Sequence, residues 1–322
     1  MANLPSYRQP TQTDIEEGAA AIIDTIAKGQ PFLVGRNGTV ETETVYFYLT
    51  RRLPHAECDA TPYPDHLRFQ MQLNAGVFPG TEEDLDAWAA AYLESLPALD
   101  VTAAGWYKPL FSVELGLLGR YAREAKRTPL RSLEPYYVGS DLWWTSALAG
   151  KSICVVSSFA QTIQRQLEGP AAISGTREGG TAAKKIWRGA QAGLLGIEGA
   201  TWSYVRTGYA PSLAQGRGGW PQGVQNWRDA VDKLEREVVA TGANVALIGC
   251  GGLGMILGAR LKRRGISAII LGGAVQVLFG IKGKRWSTHD VISKFWNASW
   301  VWPAADEIPG GAQFVEGGCY WG

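Results

Sequence analysis

Metal-binding and disulfide-forming residues are scarce in this sequence. Its 322 residues include three histidines and four cysteines, and no two cysteines have the Cys-x-x-Cys spacing that is common in zinc sites. The histidines are not clustered either. We therefore expect reduced thiols rather than a disulfide framework, and no zinc centre.

An excess of charge of one sign is also missing. Lysine and arginine (31) nearly balance aspartate and glutamate (30), so no global field would attract duplex nucleic acid or an anionic membrane. The chain has no run of about 18 apolar residues. Its first residues lack the basic start and apolar run of a signal peptide. We expect a cytoplasmic protein without a membrane span.

The second half of the sequence alternates apolar runs with helical patterns. Apolar runs occupy 152–157, 244–249 and 266–271, and helical patterns at 159–167 and 252–264 follow the first two. Apolar runs without polar alternation are typical of parallel strands that are buried on both faces. The pattern predicts an α/β fold of the Rossmann-like kind, a mostly parallel sheet with helices on both faces.

The first half has a more mixed pattern. Helices are predicted at 13–28, 39–52, 81–96 and 112–127, strands at 31–36 and 99–106, and a loop at 53–80. We expect this part, 1–149, and the Rossmann-like part, 150–322, to form one integrated catalytic unit. Within the second part, the glycine-rich segment 169–223, with a short helix at 181–194, is either a set of surface connections or a mobile cover over the site.

A glycine motif follows the apolar run 244–249. Gly249-Cys250-Gly251-Gly252-Leu253-Gly254 has the G-x-G-x-x-G spacing of a dinucleotide-binding turn. The acidic residue that holds the ribose of NAD is missing, because 238–289 contains no aspartate or glutamate. The amides of Gly251 and Gly252, at a helix start, are therefore predicted to bind a different phosphate-bearing ligand. Alternatively, the glycines only allow the helix to approach the strand closely.

Cations and an indole cluster after the next apolar run. In GGAVQVLFGIKGKRW, 272–286, the segment opens with glycines at the carboxyl end of a predicted strand, where α/β proteins bind ligands. Its candidate ligand-binding residues are Gly273, Gln276, Lys282, Lys284, Arg285 and Trp286. Arginine and lysine can bind a diphosphate, and tryptophan can stack on a base or a sugar. The alternative is a solvated basic loop with a core tryptophan.

A third candidate segment is FLVGRNGTVETE, 32–43. A predicted strand ends near Gly35 and Arg36, and Asn37 precedes a helix that carries Glu41 one turn in. Arg36 could pair with a phosphate, and Glu41 could act as a base or a metal ligand; the alternative is a turn followed by a favourable first-turn charge. Further candidates are Gly35, Asn37, Ser158 and Gly249 for the nucleotide-sugar, and Asn74 and Trp106 for acceptor or sugar contacts.

Together these segments resemble the GT-D class of glycosyltransferases. The N-terminal signature of that class reads like Arg-Phe-Gly-Asp-Gly-Glu after a short strand, and the matching residues here are Arg36-Asn37-Gly38-Thr39-Val40-Glu41. The segments VALIGCGGLG, LGGAVQVLFGIKGKRW and EGGCYW also resemble uncharacterised bacterial and viral proteins related to that class. The resemblance spans most of the chain, and its strongest motif is 272–286.

The resemblance implies a nucleotide-sugar donor and a metal-binding Asp-x-Glu pair. Only the glutamate is present, as Glu41, because Thr39 occupies the aspartate position. A Mg²⁺ or Mn²⁺ site at Glu41 would be weak, since hard cations prefer several anionic oxygens. Lys282, Lys284 and Arg285 would then neutralise the diphosphate. The acceptor is open among a glycan, a lipid-linked sugar, a protein and a modified nucleobase.

Three functions are therefore compared. The first is a glycosyltransferase with Glu41 and Arg36 as catalytic residues. The second is an NADP-type oxidoreductase, in which Arg260 or Arg264 lies near the extra phosphate of the cofactor. The third is a non-catalytic module that binds a nucleotide or a glycan, which the missing acid at Thr39 favours.

Overall fold

Seven parallel strands form one sheet in the computed structural model, which describes residues 7–51, 61–169 and 183–322. The strands are β1 Leu33–Arg36, β2 Val101–Ala103, β3 Lys126–Thr128, β4 Ser152–Ser157, β5 Thr201–Arg206, β6 Val245–Gly249 and β7 Ser267–Ile270. Their spatial order is β3-β2-β1-β7-β6-β4-β5. The predicted α/β, Rossmann-like fold is confirmed.

Strands from the two halves of the sequence meet in the middle of this sheet. β1 pairs with β2 on one side and with β7 on the other, with Leu33 opposite Ala268 and Val34 opposite Ile269. β6 then joins β7 to β4. Because all strands are parallel, their carboxyl ends lie along one edge of the sheet.

Helices cover both faces of the sheet. They are α1 Gln12–Ala27, α2 Thr39–Thr50, α3 Asp65–Leu73, α4 Glu82–Ser95, α5 Phe111–Tyr121, α6 Ala160–Glu168, α7 Ala183–Ile186, α8 Pro211–Ala214, α9 Trp227–Ala240, α10 Gly254–Arg263 and α11 Ala274–Leu278. Successive strand residues face opposite sides. Leu247 belongs to the core that includes α1 and α6, and its neighbour Ile248 to the core that includes α4, α9 and α10. Burial on both faces explains the unbroken apolar runs.

The structure corrects several predicted elements in the first half. The helix predicted at 112–127 ends at Tyr121, and its last residues form β3, because pairing with β2 at the sheet edge overrides their helix propensity. Part of the predicted loop is α3, whose Leu67 and Met71 are buried one turn apart. The strand predicted at 99–106 is shorter, and the helix predicted at 13–28 begins at Gln12, with Thr11 as its N-cap.

The segment predicted as connections or cover is only partly described. Its residues 170–182 lie outside the described residues, as do 53–60 of the predicted loop and residue 52 of the helix predicted at 39–52. In the described part, α7 is a single turn followed by a 3₁₀ turn at Gly189–Gln191, in place of a helix at 181–194. No helix among the described residues has the length and apolar character needed to cross a membrane.

Candidate active site

A cleft of about 260 Å³ lies at the carboxyl edge of the sheet. Its lining includes residues at or just after the ends of β1, β4, β5, β6 and β7. After β4 the chain continues to β5 on one side, and after β6 it continues to β7 on the other side. Such a change of direction leaves a crevice between neighbouring strands, where open α/β sheets bind their ligands.

The structure brings together residues from all the predicted segments. The predicted site residues that line the cleft are Arg36, Glu41, Asn74, Trp106, Ser158, Gly249, Gly251, Gly273, Gln276 and Arg285. The predicted site residues outside that lining are Gly35, Asn37, Gly252, Lys282, Lys284 and Trp286. Gly35 lies within β1, opposite Thr102 of β2, and the other five have contacts within the protein that are described below.

Arg36 ends β1 and turns its guanidinium into the cleft. The guanidinium carbon lies 4.8 Å from the centroid of the Trp106 ring, in a cation–π contact. On another side, Gly272 has φ +57°, and a Cβ there would lie 3.6 Å from the Arg36 guanidinium. Arg36 forms no ion pair with any residue in the described part of the chain. It is therefore a cation placed against an indole, and its charge acts on three nearby carboxylates, those of Glu41, Glu114 and Glu134.

Asn37 is a structural residue beneath Arg36. Its side chain donates to Glu114 Oε1 at 3.1 Å and accepts from the Tyr92 hydroxyl at 2.7 Å. Its backbone oxygen accepts from the Trp106 indole N–H at 3.3 Å. Asn37 therefore holds the loop that presents both Arg36 and Trp106, although it does not line the cleft itself.

Glu41 lies in the first turn of α2, and its carboxylate folds back over Gly38. Burial raises the pKa of Glu41 above its ordinary value, and its own backbone N–H and the charge of Arg36 oppose that rise. Negative charge in the first turn of a helix is favourable. Glu41 is thus both the acidic residue in the first turn of α2 and a residue of the cleft lining.

Two further carboxylates near Arg36 were not predicted from the sequence. Glu114 is buried and accepts from the Gly105 N–H at 2.7 Å, and burial raises its pKa. Burial also raises the pKa of Glu134, to about 7, against the opposing charges of Arg36 and Arg131. Neither residue belongs to a local motif, because the sheet brings them to Arg36 from separate segments.

A backbone segment of the protein itself packs against the glycine motif. The Gly252 N–H donates to the Ala75 carbonyl at 2.8 Å, and the Trp88 indole donates to the Gly252 carbonyl at 3.0 Å. A Cβ at Gly251, which has φ +57°, would lie 2.6 Å from the Ala75 oxygen. The amide of Gly252 is thus hydrogen-bonded within the protein, and its predicted binding of a phosphate would require this hydrogen bond to break. Gly251 still lines the cleft.

Arg285 is the one residue of the predicted Lys282–Arg285 cation cluster that lines the cleft. The Lys282 ammonium lies 5.5 Å from the centroid of the Trp296 ring, and the Lys284 ammonium donates to the Gly317 carbonyl at 3.3 Å. The predicted contribution of these two lysines to the cleft is therefore not seen. A cluster of charged residues in the sequence does not show where each side chain points. Here Gly283 and the following 3₁₀ turn, Lys284–Trp286, point successive side chains in different directions.

Gln276 and Trp286 attach the C-terminal segment 304–322 to the end of β7. The Gln276 amide nitrogen donates to the carbonyls of Lys282 at 2.8 Å and Tyr320 at 2.7 Å. Trp286 is buried and packs edge-on against Tyr320, whose ring also approaches Gly273. These contacts bring Tyr320 into the cleft wall.

The remaining wall was missed by sequence reasoning. It contains residues that follow β5, residues of the loop before α9 and residues of the C-terminal segment: Thr207, Gly208, Tyr209, Trp220, Val315, Glu316 and Trp321. Glu307 fixes this segment, since its buried carboxylate accepts from the Gln161 and Thr162 backbone N–H groups at the start of α6. Only the EGGCYW motif gave a signal for this region.

The donor set of the cleft does not fit a protein-bound metal ion. No group of three or more His, Cys, Asp or Glu side chains is placed to hold a metal among residues 7–51, 61–169 and 183–322. Of the matched pair positions, Thr39 offers a hydroxyl and Glu41 a single carboxylate with a raised pKa. Mg²⁺ and Mn²⁺ prefer several anionic oxygens, so no chemical step is assigned to a metal here.

Comparisons with known proteins give limited similarity. No protein-family model matches the chain, and no curated protein matches it. Among solved structures, the chain is similar to one described as a new glycosyltransferase, of domain of unknown function 1792, from Streptococcus sanguinis. That similarity has a TM-score of 0.39 and 12% identity, over 84% of this chain and 82% of the other. A selenomethionine structure of the same domain is similar with a TM-score of 0.36 and 11% identity, over 82% and 83% of the two chains.

Proposed function

We propose that this protein is a glycosyltransferase that moves a sugar from a nucleotide-diphosphate donor to a hydroxyl acceptor. The observation that carries the proposal is Arg36, a cation without an ion-pair partner in the described part of the chain, stacked on Trp106 in the cleft. Arg285 supplies a second cation to the same cleft. Two guanidinium groups are well suited to a diphosphate, because each can donate two parallel hydrogen bonds.

The positive charge of Arg36 would serve the leaving group. When the bond between the sugar carbon and the diphosphate oxygen breaks, its electron pair stays on the diphosphate, which gains charge. A fixed guanidinium in a site with little water stabilises that charge more strongly than water would. Trp106 keeps the guanidinium in place, so little reorganisation is needed during transfer.

Glu41 would serve the acceptor. As the acceptor oxygen forms its bond to the sugar carbon, its hydroxyl proton passes to the Glu41 carboxylate. A carboxylate whose pKa lies above the ordinary value is a better proton acceptor near neutral pH. We expect the Glu41 carboxylate to move from its position over Gly38 just far enough to accept the proton of the acceptor hydroxyl.

The rest of the lining suits a base and a sugar. Trp106, Tyr209, Trp220 and Tyr320 offer aromatic surface, and Asn74 and Ser158 offer hydrogen-bonding groups. A glycan, a lipid-linked sugar, a protein and a modified nucleobase all remain acceptor candidates, since each can present a hydroxyl. A divalent cation is not needed for this arrangement, although the donor could bring Mg²⁺ or Mn²⁺ with it.

The structure argues against the NADP-type oxidoreductase. The Ala75 backbone occupies the face of Gly251 and Gly252 that a dinucleotide pyrophosphate would approach. Arg260 pairs with Asp232 and Glu235, Arg264 pairs with Glu235, and neither arginine lines the cleft. This alternative is therefore set aside.

A non-catalytic nucleotide- or glycan-binding module is the second candidate. Thr39, at the position of the second acid, lines the cleft, so the two motif positions hold one carboxylate where the resembling class has two. The two candidates differ in turnover. A module binds a nucleotide-sugar saturably without hydrolysing or transferring it, whereas an enzyme releases the nucleoside diphosphate.

The test is a thermal-shift screen with UDP-, GDP-, CDP- and dTDP-linked sugars, with and without Mn²⁺, followed by a release assay for the nucleoside diphosphate. We expect at least one donor to stabilise the protein. Arg36→Ala should weaken that binding about tenfold or more, because a hydrogen bond to a charged group contributes about 1.5–3 kcal/mol.

Arg263→Ala is the matched control, because Arg263 is exposed on α10 outside the cleft and its loss changes the net charge equally. Donor binding should be unchanged in this variant. A flat response of the wild-type protein across the panel, or equal losses in both arginine variants, would remove the support for the proposed function. Saturable binding without release of nucleoside diphosphate would select the binding module instead.

A further inference from the structure

Two aromatic rings hold the Arg285 side chain at the cleft. Its guanidinium carbon lies 4.8 Å from the Tyr320 ring centroid and 5.6 Å from that of Trp286. One guanidinium nitrogen, Nη1, also donates to the Tyr320 hydroxyl at 2.8 Å. These aromatic contacts and this hydrogen bond help to position the guanidinium at the cleft.

Arg285 nevertheless has a carboxylate partner inside the cleft lining. Its other terminal nitrogen, Nη2, lies 2.9 Å from Oε2 of Glu316. The Glu316 side chain is 55% exposed, and both residues line the cleft. An ion pair that is open to water contributes little stability, commonly about 0.2–1 kcal/mol, so it can exchange readily for another anion.

The backbone at Glu316 has an unusual conformation. Glu316 has φ +48°, and Gly317 and Gly318 follow with φ +67° and +82°. A residue with a Cβ is disfavoured in the left-handed region by about 1–2 kcal/mol, and glycine is not. Three successive left-handed residues form the turn that places Glu316 beside Arg285. A carboxylate is thus placed beside Arg285 at a position that disfavours any residue with a Cβ.

We infer that Glu316 is an internal competitor for a phosphate subsite at Arg285. Its carboxylate occupies the Nη2 donor that a phosphate oxygen of the ligand takes, and binding of the diphosphate displaces it into solvent. The inference rests on the proposed function, since it assigns Arg285 to the diphosphate of the donor. It makes Glu316 a specificity-determining residue, because only a ligand with enough negative charge replaces the carboxylate at Arg285.

The test is isothermal titration calorimetry with UDP and with inorganic pyrophosphate, at low salt, on the full-length chain. Glu316→Gln keeps the size of the side chain and removes its charge. We expect the Kd of both probes to fall by a factor of about 1.4 to 5, the range that corresponds to an exposed ion pair. Glu94→Gln, an exposed residue of α4 outside the cleft lining, is the matched control and should leave Kd unchanged.

A second variant checks that the effect does not come from altered folding. Glu316→Gly removes the carboxylate and also relieves the left-handed backbone, so it should bind more tightly without a lower Tm. Unchanged or weaker binding in both Glu316 variants, with normal binding by the wild-type protein, would overturn the inference and leave the proposed function standing. Absence of binding by every variant and by the wild-type protein would overturn both.

Discussion

Gly251→Ala tests whether the glycine motif accommodates a protein segment rather than a cofactor. Gly251 has φ +57°, so any side chain there costs about 1–2 kcal/mol in backbone energy. The new Cβ would also lie 2.6 Å from the Ala75 carbonyl oxygen, which belongs to backbone and cannot rotate away. Either the 74–76 loop or the glycine turn must move.

The size of the effect follows from those two contacts. Overpacking against backbone costs about 1–3 kcal/mol, and loss of the neighbouring Gly252–Ala75 hydrogen bond adds about 0.5–1.5 kcal/mol. Gly242→Ala is the control that measures only the cost of a side chain on a left-handed backbone. Gly242 has φ +69°, and no atom lies within 4 Å of the position of its added Cβ. We expect Gly251→Ala to lower the free energy of unfolding by about 1.5–4.5 kcal/mol more than Gly242→Ala.

The assay is urea unfolding of the three proteins, followed by tryptophan fluorescence and circular dichroism. Equal destabilisation by the two alanines would refute the reasoning, because it would mean that the Ala75 backbone does not press on Gly251. In that case the motif would again be open to a dinucleotide, and NADP binding would have to be reconsidered.

Two other predictions concern carboxylates near Arg36. The pKa of Glu134 rises from 4.5 to about 7 in the folded protein, so the folded state binds more protons than the unfolded state between these values. The free energy of unfolding should therefore fall by about 3 kcal/mol as the pH rises from about 4.5 to 7. Urea unfolding at several pH values should show a smaller fall for Glu134→Gln. Identical pH profiles of the two proteins would contradict the raised pKa of Glu134. Glu41→Gln should keep donor binding in calorimetry but reduce transfer by about 10²-fold or more, since it removes the proton acceptor. Loss of binding with unchanged turnover per bound donor would instead make Glu41 a binding residue.

Strands and helices that have a long and continuous local sequence pattern could be predicted from the sequence. β4, β6 and β7 are continuous apolar runs because both of their faces are buried, and α10 follows a glycine motif directly. β3 has three residues, of which Lys126 and Arg127 are exposed, and only its pairing with β2 defines it. No local pattern could have separated it from the helix-forming residues before it.

The candidate site shows the same limit. Arg36 ends β1, which the sequence pattern predicts, and Arg285 belongs to the segment 272–286 that begins just after β7, so both could be placed at one edge of the sheet. The roles of Lys282 and Lys284 depend on side-chain direction, which Trp296 and the Gly317 carbonyl determine. Glu316 and Tyr320 are held at the cleft by contacts with residues that are distant in the sequence, such as Arg285 and Gln276. Sequence spacing carries no information about these contacts.

The central position of β7 affects how the chain assembles. Phe32, just before β1, contacts Ser267 of β7, 235 residues later in the chain. During synthesis β1 has no neighbour on that side until β7 has left the ribosome, so its edge stays open to other chains for most of translation. The closing step joins distant segments and is expected to be slow. The cleft, which needs Arg36 from one side of this junction and Gly272 from the other, is among the last parts of the molecule to form.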